Sequence, residues 1–134
     1  MARQKGKAAG VGQALLELAL ALPLLLMLAG AGLEFGLAVY ARSQVEAAVR
    51  EGARLGAVLW QEPDADRQVR ERTLAEVGRP PRAQLGEVQV DYPEGRVRGG
   101  RIQVTLQCSY VPALPPLSAV GEVPCGGTAT MRLE

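Results

Sequence analysis

Gly12-Gln13-Ala14-Leu15-Leu16-Glu17, then LALALPLLLMLAGAGL over residues 18–33, then Glu34: this stretch decides how the chain is built. The sixteen residues between the two acids carry no charge, and apolar character continues through Phe35, Leu37, Ala38, Val39 and Tyr40. From Ala14 to Ala41 there are 28 residues, which as a helix span roughly 42 Å at ~1.5 Å per residue. A bilayer core is ~30 Å thick. A buried helix of a water-soluble core rarely needs so long an apolar stripe in a chain of 134 residues. The segment therefore reads as one membrane-spanning helix near the N-terminus, and the chain as a single-pass envelope protein.

Charge divides at the same place. Arg3, Lys5 and Lys7 precede Glu17 with no acid among them, so this end is expected to stay in the cytoplasm. From Ala41 onward twelve Arg balance twelve Asp plus Glu. A neutral exported part gives no electrostatic reason to expect nucleic-acid binding. Cys108 and Cys125 both lie on the exported side. An even count in an oxidising compartment reads as a disulfide, against the alternative of two small apolar core residues.

Beyond the span, Val45, Val49, Gly52, Gly56 and Leu59 recur at helical spacing, with Arg42, Gln44, Glu46, Arg50, Glu51 and Arg54 mostly on other faces. The pattern predicts that the helix continues out of the bilayer as an amphipathic one, ending near Trp60 ahead of Pro63. Small residues on its stripe allow close packing. Asp64 is expected to cap a surface helix over about Ala65 to Val77, stopped by Gly78. Three strands follow from period-two alternation: Val88, Val90 and Tyr92; Ile102 to Tyr110; and Ala129, Met131 and Leu133. One apolar face per strand predicts a three-stranded antiparallel sheet packed on the outer half of the long helix, an α+β class. The first nine residues are expected to be disordered or a leader.

Catalysis finds little support. The chain has no His, which excludes Ser-His and Cys-His pairs and removes the commonest metal ligand. Glu62, Asp64 and Asp66 cluster, as one turn of a charged surface helix would. No catalytic residue, metal site or cofactor is assigned, and the chain is not expected to be an enzyme.

The informative residues stand where the helix meets the membrane. If the chain is cut between Gly12 and Gln13, Glu17 becomes the fifth residue of the mature chain, near the depth of a free α-amine. That amine, on its own chain or a neighbour, would neutralise a carboxylate that is costly in lipid. The alternative leaves Glu17 as an interfacial charge at the headgroup boundary. Glu34, where the helix leaves the bilayer, is expected at the interface. Pro23 removes a helix hydrogen bond, and Gly32 and Gly36 form a small-xxx-small pair suited to close helix contact.

A basic leader, a Gly, and a Glu five residues on at the head of an apolar helix resemble a type IV prepilin processing site. Glu17-Leu18-Ala19-Leu20, Pro23-Leu24-Leu25-Leu26, Leu33-Glu34-Phe35-Gly36, Tyr40-Ala41-Arg42 and Arg50-Glu51-Gly52-Ala53-Arg54 resemble the TadE-like family, pseudopilins of tight-adherence (Tad/Flp) pilus systems. The ending Ala129-Thr130-Met131-Arg132-Leu133-Glu134 is similar to that family's C-terminus. The resemblance implies a pilin-like architecture: a leader over residues 1–12, a transmembrane helix over 13–41 and an extracytoplasmic α+β domain over 42–134. It implies processing at Gly12 and Gln13 by a prepilin peptidase, an assembly role for Glu17, and helix packing through Pro23, Gly32 and Gly36. Its partners would be other pilin or pseudopilin subunits and inner-membrane pilus assembly proteins, with the protein in the inner membrane and possible passage into an extracellular pilus. The outer domain exceeds that of a major Flp pilin, which favours a minor subunit. The competing expectations are a major subunit of a related filament, and an envelope domain made with an ordinary signal sequence cut near Ala29-Gly30-Ala31.

Overall fold

The computed structural model describes residues 5–134, with side chains described from Val11 on except at residue 116. Helix α1 runs Lys5–Leu59, 55 residues without a break, with Pro23 inside it. It starts earlier than the sequence led us to expect. The first nine residues were expected to be disordered or a leader; the chain is helical from Lys5, and residues 1–4 lie outside the described ones. Lys and Ala are good helix formers, and no Pro interrupts the chain before position 23, so propensity carries the helix back through the glycines.

Compactness divides the chain into Met1–Leu33 and Glu34–Glu134. In the first unit the described apolar side chains from Val11 to Leu28 lie exposed. Every Leu, Val and Met from Val11 to Leu28 that is exposed is at least half so, Leu20 by 72%. This is one helix long and apolar enough to cross a membrane.

In the second unit the outer part of α1 buries a stripe beginning at Glu34 and running through Ala41, Val45, Ala48, Val49, Gly52, Ala53, Gly56 and Ala57. Steps of three and four residues keep these side chains on one face. Against them lie helix α2, Ala65–Val77, and an antiparallel sheet: β1 Ala83–Asp91, β2 Arg101–Tyr110, β3 Val123–Pro124 and β4 Gly127–Arg132. A single turn, α3, covers Pro115–Ser118. Strand β2 is central, pairing with β1 on one edge and with β3 and β4 on the other. Ile102, Val104, Leu106, Cys108 and Tyr110 of β2 are buried, as alternation predicted, and join Val88, Ala129 and Leu133 in one core.

Four details differ from expectation. First, β3 adds a short fourth strand, whose two residues are defined only by pairing with Ser109 and Tyr110. Second, β1 starts at Ala83 and carries a bulge between Leu85 and Val88. One extra residue there turns an odd spacing into a shared face, so both Leu85 and Val88 reach the core. Third, α2 is more than a surface helix: Ala65, Val69, Thr73 and Val77 are buried at a regular spacing of four. Leu74, an apolar residue of the same helix, is 45% exposed. Fourth, Asp64 sits at the N-cap without a side-chain cap bond. Its carboxylate is taken by Arg67 at 2.6 Å instead.

The glycines explain how α2 comes so close. A Cβ on Gly52 would collide with Thr73 Oγ1, and one on Gly56 with Ile102 Cδ1. Thr73 satisfies its hydroxyl by donating to the Val69 carbonyl at 2.7 Å. The far end of the unit is closed by backbone bonds, Glu134 N–H to Ala57 O at 3.1 Å and Leu133 N–H to Gly100 O at 2.8 Å, with Trp60 Nε1 donating to Glu134 O at 2.9 Å.

Candidate functional site

Two constellations lie on α1, seventeen residues apart. The first is the one the sequence singled out. Gly12, Gln13 and Glu17 are exposed on the helix, and Gln13 Nε2 donates to Glu17 Oε1 at 3.2 Å across one turn. Gly12, Gly32 and Gly36 have open space where a Cβ would stand. Pro23 leaves the carbonyl of Ala19 without its helical donor. All of these residues lie on α1. They are features of a helix surface, distributed along its length.

The second constellation was not foreseen as a cluster. Glu34, expected at the lipid interface, is instead 8% exposed. Its Oε2 accepts from Tyr110 Oη at 2.5 Å, and its Oε1 accepts from Arg82 Nη1 at 3.0 Å and from the Ala113 N–H at 3.1 Å. A buried carboxylate is tolerated where it is paired and hydrogen-bonded, and this one has three donors. Burial, followed by the Glu34 carboxylate, pushes the Tyr110 phenol above its ordinary value, so the hydroxyl remains a donor. Arg82 is the one non-glycine with positive φ among the described residues, at 60°. This uncommon backbone conformation lies at the turn into β1, where the Arg82 carbonyl also accepts from Val111 N–H at 3.1 Å. Glu34 therefore holds together α1, the start of β1, the end of β2 and the Pro-rich loop after it. An open cleft of about 350 Å³ lies beside it, lined by Arg82, Ala83, Gln84, Val111, Pro112 and Ala113. With three donors on its two oxygens, Glu34 is arranged as a clamp rather than as an acid or base.

Residues 12–54 match the family model of TadE-like proteins. The matched segment begins at the predicted cleavage glycine and ends within the stripe that carries the outer domain, so the match lies wholly within α1. It contains both constellations' helical members, Glu17 and Glu34. The match is to the family that the sequence resembled. With one spanning-length helix, this fits a single-pass membrane protein. No curated protein and no solved structure gives a match to the chain.

The remaining sequence candidates fall elsewhere. Cys108 and Cys125 are bonded, with Cα atoms 4.9 Å apart, joining β2 to the junction of β3 and β4. Among Glu62, Asp64 and Asp66, only Asp66 makes distant contacts: it accepts from Tyr92 Oη at 3.0 Å and from Arg96 Nη2 at 2.5 Å. Burial, then the Asp66 hydrogen bond and charge, push the Tyr92 phenol up to about 12. Asp66 thus anchors the β1–β2 loop to α2. No group of three His, Cys, Asp or Glu able to hold a metal occurs among the described residues.

Proposed function

We propose that this chain is a minor pilin or pseudopilin that contributes to assembly of a Tad/Flp-type pilus through helix–helix packing in the inner membrane, a structural rather than an enzymatic role. The observation that carries the reading is the apolar stretch of α1 from Val11 to Leu33, exposed at every residue except the half-buried Gly30 and Ala31, with Glu17 its one acid. A lipid bilayer or the helices of neighbouring subunits would cover such a surface, and within a helix bundle the carboxylate requires a counter-charge. In this reading the N-terminus is cytoplasmic, the part after the span is extracytoplasmic, and a prepilin peptidase cuts between Gly12 and Gln13. Gln13, whose side chain already reaches Glu17 in the uncut helix, then supplies an α-amine to the Glu17 of an adjacent subunit. Gly32 and Gly36, open on the helix surface, let neighbouring helices approach, and Pro23 offers a point where the helix can bend to fit them.

The test is Glu17→Ala in the native host, scored for processing, disulfide formation and surface pili. Intact mass is expected to show loss of residues 1–12 in both strains, because the scissile bond is untouched. The disulfide is expected to form, while piliation fails. Normal piliation with Glu17→Ala would leave α1 as a passive anchor. A mature N-terminus at Gly32 would instead mean an ordinary secretory signal, and abundance in purified fibres separates a minor from a major subunit.

A further inference from the structure

Residues 111–121, VPALPPLSAVG, contain no charge. A loop that faces water is ordinarily polar, yet here Val111 is 37% and Val120 75% exposed. The loop's position is fixed by the clamp, since Ala113 N–H bonds Glu34 Oε1. Glu34 directly follows Leu33, the last residue of the exposed apolar stretch and itself 68% exposed. On α1 just beyond, Phe35 is 73% and Tyr40 49% exposed. Arg82, which is exposed, shares the Glu34 carboxylate with the loop, and Arg79, also exposed, stands three residues before it in the chain. Aromatic rings, short apolar wedges and arginines are the composition of the membrane–water interface. Cationic side chains there are attracted to anionic headgroups.

We propose that the 111–121 loop is a second membrane contact, lying in the headgroup and upper acyl region of the bilayer that α1 crosses. The proposal rests on the single-pass reading of α1. A lipid surface suits the loop better than a second copy of the chain. The clamp fixes it at the residue where the apolar stretch ends, and the exposed Arg82, paired with Glu34, and Arg79 three residues earlier in the chain match anionic lipid, with Glu122 the one acid bordering the loop in sequence. A self-contact would bring those arginines against their own copies.

The experiment uses the full-length protein in vesicles of phosphatidylethanolamine and phosphatidylglycerol with brominated acyl chains, which quench Trp fluorescence on contact. The parent has one Trp, Trp60. Three variants each add one more: Leu24→Trp within the span, Val120→Trp in the loop, and Val97→Trp in the β1–β2 loop, which is 53% exposed. Val97 belongs to the end of the unit closed on Ala57, which lies ~35 Å along α1 from Glu34 by helical rise. Disulfide formation in each variant reports folding. The added fluorescence of Leu24→Trp and Val120→Trp is expected to be quenched several-fold more than that of Val97→Trp. Quenching of Leu24→Trp with none at Val120→Trp would overturn the loop contact and leave the span intact. No quenching at Leu24→Trp would remove the span, and the loop proposal with it. Emission of Val120→Trp that shifts to the blue without quenching would assign the loop to a protein partner and overturn the lipid contact.

Discussion

Glu34 shows what one residue does when three elements close on it. Its donors come from positions 48, 76 and 79 residues further along the chain. Nothing local in the sequence could announce them. What the sequence did offer was an acid at the end of an apolar run, and a charge in that setting has two solutions, water or partners. The interfacial expectation chose water, and the fold supplies partners. Glu34→Ala would leave the Tyr110 hydroxyl, the Arg82 guanidinium and the Ala113 N–H without their acceptor, and would release the loop. The expected outcome is a lower Tm together with several-fold faster proteolytic cutting within residues 111–121, measured by limited proteolysis and peptide mass. Loop cutting at the parent rate would mean that the Pro-rich segment holds itself without the clamp.

Among the elements, two kinds of glycine occupy one helix. Gly52 meets Thr73 and Gly56 meets Ile102, whereas Gly36 meets nothing within the chain. Gly→Ala in a helix interior gains ~1 kcal/mol from propensity, but forcing an atom into a packed core costs about 1–3 kcal/mol. Gly52→Ala is therefore expected to lower the Tm of the outer domain, and Gly36→Ala to leave it unchanged or raise it. Thermal melts of the two variants check this, and an equal fall in both would show that backbone context rather than contact sets the effect. The stripe of α1 was legible because Val45, Val49, Gly52 and Gly56 keep helical spacing. The strands were legible because alternation in Ile102–Tyr110 runs unbroken. The packed face of α2 was missed because half of it is Ala65 and Thr73, the one too small and the other too polar to mark a buried stripe. The bulge in β1 was missed because Leu85 and Val88 stand at a spacing that period two forbids. Strand β3 exists only through its pairing.

For the molecule as a whole, the disulfide closes the Pro-rich loop across 17 residues. In the chain-entropy model a loop of this size stabilises by ~3 kcal/mol, a large share for a small domain. Reduction is expected to lower the Tm by roughly 10 °C or more, and an unchanged melt after complete reduction would show that the sheet and helix hold without it. The cysteine pairing was readable from count and compartment, whereas its place at the β3–β4 junction required the register. The order of strands also has a consequence in time. In the proposed orientation the chain is exported from the span outward, so the stripe of α1 emerges first, then α2, β1 and β2. The central strand finds β1 at once, by a short local connection. Its other edge has no permanent partner until Gly127–Arg132 has crossed, and Cys108 waits for Cys125. Throughout that interval the stripe from Val45 to Ala57 is only partly roofed and one strand edge is open, the condition under which nascent chains join the wrong neighbour. Secretion speed, relative to the arrival of β4, thus becomes a determinant of how much of this protein reaches its folded state.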